Sequence, residues 1–358
     1  MFTNIIFLPL IVALIATLAI TPVAIALVKK LGLIDDPSKH KHPGIIHKVP
    51  IPRGGGIPLF LGVLIASLIF LPVTKTTISL FLGSFLALIV GILDDKFDLS
   101  PYLRFGLNII SAAIVVGGGI SIPFVTNPFG GILNLSIALF TLDLFNYQFT
   151  LYISQLIALI WFVWVMNMLN WSKGVDGQMP GIIVISAIVI GLLSLRFPVI
   201  NQIDITSAKL SFILAGAALG FLFYNYYPAK IFPGYGATAI YLLLAAVSIL
   251  SSVKLATAIL VMGIPMIDGV ITMLRRILSG KSPFWHDKKH LHHLLLHMGL
   301  GQRKVALFYW VISAILGSIS LFLSSRGKIF AVIMIIIVIG GFLLFLHFAL
   351  ERKNDNSN

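Results

Sequence analysis

Residues 157–193 read IALIWFVWVMNMLNWSKGVDGQMPGIIVISAIVIGLL. An apolar run broken only by Asn167 leads into the polar turn NWSKGVDGQMPG, and a second apolar run follows it. A chain that crosses a bilayer, turns in water and crosses back has this form: segments of about 17–25 apolar residues joined by Gly-rich, charged turns. The turn also poses a chemical question, because Lys173 stands three residues before Asp176.

The same alternation extends over the chain. It has 358 residues, 58% hydrophobic and 10% charged, where soluble domains carry about 25% charged residues. That balance implies an all-α polytopic membrane protein. Marking apolar runs gives about 10–11 transmembrane helices, near 4–28, 55–73, 77–93, 105–125, 151–169, 180–195, 207–224, 237–252, 255–274, 305–323 and 329–350. The run from Ile5 to Val28 is too long for the apolar part of a signal peptide and lacks a basic segment before it, so it reads as the first span. Between the fourth and fifth spans, ILNLSIALFTLDLF alternates loosely after Gly130-Gly131, which predicts an external β-hairpin within 126–150. The chain contains no cysteine, which excludes disulfides, thiolate metal sites and cysteine nucleophiles.

Charge placement sets the orientation. With the loop after the first span in the cytoplasm, 19 of the 25 Lys and Arg fall on that side and 6 on the other. The positive-inside rule then puts the N-terminus outside and the C-terminus in the cytoplasm. One membrane domain over 1–358 is expected, with cytoplasmic loops near 29–54, 94–104, 170–179, 225–236 and 275–304. Asp35, Asp36, Asp94, Asp95, Asp98, Asp176, Asp287 and eight of the nine histidines share that side, while His347 lies in a span. A transporter more often gathers polar groups at mid-membrane in broken helices. Groups collected at one water–membrane boundary suit an enzyme that joins a water-soluble substrate to a lipid one.

Five clusters make up this face. LGLIDDPSKHKHPGIIHKVPIPRGGGIP, residues 31–58, has too much Pro and Gly for a regular helix. Its bases suit phosphate or anionic headgroups, and the plainer reading is a positively charged loop. GILDDKFDLSPYLRF, residues 91–105, places Asp94, Asp95 and Asp98 at a span end, with Ser100-Pro101 as N-cap and first turn of the next helix. If the turn is helical, 94 and 98 share a face. Such carboxylates repel one another unless a cation or proton intervenes, or else they stand solvated beside Lys96 and Arg104. In the third cluster, Asn167 and Asn170 offer uncharged hydrogen bonds to a sugar or base, and two glycines let the backbone approach a ligand. The fourth, NYYPAKIFPGYGAT at 225–238, carries one charge, Lys230, and by itself reads as a connecting loop. The fifth runs from Met266 to Lys304. Arg275 and Arg276 end a span as anchors, and DKKHLHH follows. His290, His292 and His293 would serve zinc in another setting, but Lys288 and Lys289 beside them favour an anion.

In order and number, DDPSKHKH…PIPRGGG, GILDDKFDLSP, NMLNWSKGVDG, YPAKIFPGYGAT and SPFWHDKKHLHH resemble the polyprenyl-phosphate N-acetylhexosamine-1-phosphate transferases (glycosyltransferase family 4 in older naming) over almost the whole chain. The HLHH form is closer to their GlcNAc-1-phosphate branch. The resemblance implies transfer of a phospho-sugar from a UDP-N-acetylhexosamine to polyprenyl (undecaprenyl) phosphate with release of UMP, and so the start of cell-envelope glycan synthesis. It implies Mg²⁺ as cofactor and the cytoplasmic membrane as location, with the site facing the cytoplasm. The partners implied are the two substrates and the lipid bilayer; no nucleic acid is expected, and a homodimer is compatible. By resemblance, Asp94 and Asp95 orient or deprotonate the lipid phosphate, and Asp98 and Asp176 serve the metal. Asn167, Asn170, Asp176 and Lys230 face nucleotide or sugar. His290, His292 and His293 hold diphosphate or sugar, and Lys48 and Arg53 sit near the phosphates.

Two positions depart from the family pattern. Where it reads NxxNxxDGxDG, the first aspartate is Lys173, and where it reads FxGDxGS, the aspartate is Tyr235. Both changes remove negative charge, and a neutral phenol is a poor Mg²⁺ ligand. Either Lys173 contacts the diphosphate as a fixed cation in place of the metal, or the chain is a catalytically silent member that binds lipid phosphate.

Overall fold

The computed structural model describes residues 3–38, 46–144, 147–196, 200–250, 255–285, 287 and 289–355, without the side chains of 144, 147, 149 and 347–355. In chain order the helices are α1 (Leu8–Lys30), α2 (Gly56–Phe70), α3 (Lys75–Phe97), α4 (Pro101–Gly117), α5 (Ile153–Trp171), α6 (Gln178–Ser194) and α7 (Gln202–Asn225). After them come α8 (Thr238–Leu250), α9 (Leu255–Val261), α10 (Gly263–Leu278), α11 (Leu291–His297), α12 (Gln302–Phe322) and α13 (Ser325–Asp355). Three antiparallel pairs complete the order: β1 (Ile34–Asp35) with β2 (Ile51–Pro52), β3 (Phe124–Thr126) with β4 (Ile132–Asn134), and β5 (Ala138–Leu144) with β6 (Tyr147–Tyr152).

Among the described residues, 6 helices are long and apolar enough to cross a membrane, and α9 with α10 forms a further, bent candidate. The chain is a multi-pass membrane protein, and every expected span falls on a helix. α2, α4, α6 and α8 are shorter than a full crossing. The expected strand pair is present as β5–β6. Two spans differ from expectation. The fourth was expected to reach 125, but α4 stops at Gly117, at the head of a run of three glycines where Gly119 takes φ 101°. The ninth is not continuous: α9 and α10 meet at 84°. Pro265, in the first turn of α10, has no N–H to carry the ladder of α9 forward.

The core is built around α8, whose residues 238–248 are all buried. A helix apolar on every side belongs inside a bundle, and here α2, α3, α5 and α7 surround it. α1 and α7 run parallel, and the Tyr224 hydroxyl donates to the Leu18 carbonyl at 3.3 Å. Along that seam Gly216 and Gly220 face the Leu10 and Leu14 carbonyls so closely that a Cβ at either would collide. In lipid, where helices gain little from hydrophobic association, such small-residue seams supply the packing. The outer faces of α1 and α13 expose Ile11, Ile15, Val23, Ile336, Ile337 and Val338, as a lipid-facing surface requires.

At one end of the bundle the polar clusters converge. Ser100 caps α4 as expected, its Oγ accepting from the Leu103 N–H at 3.2 Å. α3 stops at Phe97, and Asp98 takes the left-handed conformation (φ 48°), so Asp98 leaves the helical face of Asp94 rather than sharing it. A 3₁₀ turn, Tyr235–Ala237, wedges between α2 and α3, where Gly56 and Gly91 leave room for the backbone at Gly236.

We expect Gly216→Val to overpack the α1–α7 seam and destabilise the fold by about 1–3 kcal/mol. Gly106→Ala, with open space at its Cβ, should leave stability level or raise it by up to about 1 kcal/mol. Thermal midpoints of both variants in detergent measure the difference.

Candidate active site at the end of the helix bundle

A cavity of about 470 Å³ draws side chains from all five clusters. Six carboxylates line it (Asp35, Asp94, Asp95, Asp98, Asp176, Asp287) against five Lys and Arg (Arg53, Lys96, Arg104, Lys173, Arg276). Low-dielectric burial of that many charges is tolerable only if they pair, and most do.

Asp95, whose side chain is fully buried, accepts from the Tyr235 N–H at 3.0 and 3.1 Å and lies 3.3 Å from Arg53 Nε. Gly234 makes this possible, because a Cβ there would strike the Asp95 carboxylate. Asp94 is held at both oxygens by Arg104 Nη1, 3.1 Å each. Arg53 also reaches Asp35 at 3.9 Å. Asp176 accepts from the Ala229 N–H at 2.9 Å; burial raises its carboxyl above the ordinary value, opposed by that hydrogen bond and by His47. Asp98 is exposed on the rim.

Lys173 lies in the wall of the cavity, and its Nζ donates to the Gly234 carbonyl at 2.7 Å. Its ammonium is 5.7 Å from the centre of the Tyr235 ring, which Arg104 also approaches at 5.2 Å. The two departures from the family pattern, far apart in sequence, are therefore neighbours in space. Burial pulls the lysine down to about 8 from the ordinary 10.5, with Asp95 opposing and Arg53 assisting. The Tyr235 hydroxyl accepts from Asn108 Nδ2 at 3.0 Å.

Asn170 carries a buried Oδ1 with no partner, in the cavity lining. Asn167 also lines it, but its Nδ2 is spent on the Val163 carbonyl of its own helix at 2.7 Å. The glycines of the turn serve the protein rather than a ligand. Gly174 leaves room for the His292 ring, and Gly177, at φ 77°, begins α6.

On α10, Asp268, Thr272 and Arg276 form a buried stripe at helical spacing. Asp268 accepts from His290 Nδ1 at 2.9 Å and from the Leu291 N–H at 3.0 Å. That fixes the tautomer, leaving His290 Nε2 turned to Arg276 at 3.4 Å. The sequence makes Arg276 a helix-end anchor; instead it is 5% exposed, packs on Trp171 and pairs with Asp287 at 3.1 Å. Burial alone would raise Asp287, yet hydrogen bonds from Arg276 and the Lys289 N–H and the charges of Arg276 and Arg275 hold it well below the usual carboxylate range. Burial pushes His292 well below the ordinary imidazole value, with His293 and His290 adding to the effect. At neutral pH His292 is thus a neutral ring rather than a cation, and its buried Nδ1 has no hydrogen-bond partner among the described residues. His293 lies 4.2 Å from it, also in the lining.

Lys48 and Lys230 are exposed and outside the lining; His47, one residue before the first, takes its place there. Lys39, His40, Lys41, His42, His286 and Lys288 lie outside the described residues. Arg104, Arg276, Asp268 and Asp287 are site or supporting residues that sequence reasoning did not select. The signal for Arg276 was the i+4 spacing from Asp268 through Thr272.

The donor set for the Mg²⁺ that the resemblance implies does not assemble. Among the described residues no group of three Asp, Glu or His side chains is placed to hold a metal. Asp94, Asp95 and Asp176 are engaged by arginine or backbone N–H groups, and the charge of the half-buried Lys173 acts on Asp95.

Comparison with known proteins agrees with the family resemblance. The model of "Glycosyl transferase family 4" matches residues 77–252. A Bacillus subtilis protein named "Probable undecaprenyl-phosphate N-acetylglucosaminyl 1-phosphate transferase" is 31% identical over 339 residues, covering 92% of this chain and 87% of its own. A decaprenyl-phosphate N-acetylglucosaminephosphotransferase of Mycobacterium leprae is 30% identical, covering 87% and 83%. An undecaprenyl-phosphate alpha-N-acetylglucosaminyl 1-phosphate transferase of Thermotoga maritima is 29% identical, covering 94% and 96%.

Asp287 has its carboxyl depressed in the fold, so its contribution is full above the unfolded value near pH 3.9 and fades as pH falls below it. Asp287→Asn should cost about 1.5–3 kcal/mol at pH 7, the range for hydrogen bonds to charged groups. Melts at pH 7 and below about pH 4 should show the gap to wild type closing in acid.

Proposed function

The chain belongs to glycosyl transferase family 4, and we propose that it transfers N-acetylglucosamine 1-phosphate from a UDP-sugar to a polyprenyl phosphate, releasing UMP. The observation that carries this reading is the cavity itself. It joins a cationic wall of Arg53, Arg104, Lys173 and Arg276 to the unpartnered Asn170 carbonyl and to an aromatic rim. Phe284 and Trp285 line that rim, and Tyr102 packs on Phe284 at 5.5 Å. Phosphates suit the first surface, a base or sugar the second and a polyprenyl chain the third.

In the step proposed, an oxygen of the lipid phosphate attacks the β-phosphorus of the donor. The bond from that phosphorus to the bridging oxygen breaks, its electron pair leaves with UMP, and the sugar keeps its C1–O bond. A phosphate monoester has its second pKa near 6, so the nucleophile is already anionic at neutral pH and needs no strong base. Asp94 and Asp95 are held by Arg104, Arg53 and the Tyr235 N–H, and they act by aiming the two guanidinium groups at the phosphates. Charge growing on the departing phosphate is met by donors already in place, which is where such sites gain most of their rate. The excess of Lys and Arg in the loops on this side, 19 against 6, supports a cavity that faces the cytoplasm across the inner membrane.

The competing reading, a silent lipid-phosphate binder, draws on Lys173 and Tyr235. Both are decided by one assay on purified protein with UDP-GlcNAc and undecaprenyl phosphate. Transfer predicts UMP release, and a fall of about 10²–10³-fold in kcat for Arg276→Ala, as for loss of a charge-stabilising donor elsewhere. No UMP from a panel of UDP-sugars, with lipid phosphate still bound, selects the silent binder.

A further inference from the structure

Lys173 is half-buried, and its ammonium has three N–H donors and one hydrogen bond, to the Gly234 carbonyl. A buried cation is costly unless it is compensated. The charge that does most to compensate it, Asp95, is already shared with Arg53 and the Tyr235 N–H. The ammonium belongs to the cavity lining, so its unused donors have one polar space to serve. The Tyr235 ring beside it presents no carboxylate, and the nearby acids are engaged by other partners. Positive charge is therefore built into the wall, where a divalent ion would have to displace arginine to gain Asp94 or Asp95 as a ligand.

Resting on the reading of the cavity as a donor-sugar site, we propose that Lys173 is the fixed cation for the diphosphate of a nucleoside diphosphate sugar. Its N–H groups take phosphate oxygens directly, and neither binding nor turnover calls for a divalent metal. The Gly234 carbonyl and the Tyr235 ring hold the ammonium in place. In the transfer step the ammonium stays protonated, and its role is to stabilise the charge that leaves with UMP.

The test is binding of UDP-GlcNAc to the full-length wild-type protein by isothermal titration calorimetry, first in EDTA and then with Mg²⁺ added. The expected result is binding in EDTA with a Kd that Mg²⁺ changes by less than about twofold, and a Kd about 10–100-fold weaker in Lys173→Met, the range for loss of a charged hydrogen bond. If Lys173→Met fails to fold, Lys173→Gln, polar and of similar reach, carries the same comparison. Wild-type protein that does not bind in EDTA, whether or not Mg²⁺ restores binding, overturns the inference. So does a neutral variant that binds as wild type does. Binding without turnover removes the transferase reading and leaves the assignment of Lys173 standing, so the two failures are distinguishable.

Discussion

The Asp95 carboxylate is the interaction on which the polar end of this protein depends. It ends a membrane helix, its side chain has no solvent access, and it collects the Tyr235 N–H and Arg53. An ionised carboxylate without such partners would be untenable there. Meeting its needs fixes three separate pieces of chain. The loop before α2 must bring in Arg53, and the segment before α8 must offer a backbone N–H. Gly234, Gly56 and Gly91 must yield the space for that segment to arrive. One charge thus sets where α8 starts and why its first turn is inside the site.

Around that anchor the electrostatics follow a consistent plan. Each deep carboxylate is matched by a guanidinium or a backbone donor, so the acids are used to hold bases rather than to face the cavity as free anions. The Arg276–Asp287 pair extends the plan to the far wall. Arg276 also contacts Trp171 and His290, which ties the end of α10, the loop carrying the histidines and the end of α5 into one wall. A site that handles two phosphate-bearing substrates gains from such fixed donors, because little reorganisation is left to the moment of reaction.

Much of this was legible in the sequence. Every apolar run marked in the sequence falls on a helix, though four of those helices are shorter than a full crossing, and loose alternation located the β5–β6 ribbon. The motifs named most of the cavity residues. What failed to show was anything set by three-dimensional pairing. Asp98 turned off the α3 face because the helix ended one residue before it. Arg276 looked like an anchor because paired arginines at a span end usually are, and only Asp268 and Thr272 on the same stripe hinted at burial. The adjacency of Lys173 and Tyr235 was invisible, since 61 residues separate Lys173 from its Gly234 partner.

α5 carries a consequence of a different kind. It runs without a break from Ile153, directly after the β6 strand, to Trp171, directly before the cavity turn. Its 19 residues make a rod of about 29 Å, close to the thickness of a bilayer's hydrocarbon core. The ribbon and the cavity are thus held at opposite ends of a rod about as long as that core is thick. Sidedness is then a single binary quantity for the whole molecule: with that rod set across a bilayer, the compartment that reaches the ribbon is not the one that reaches the cavity.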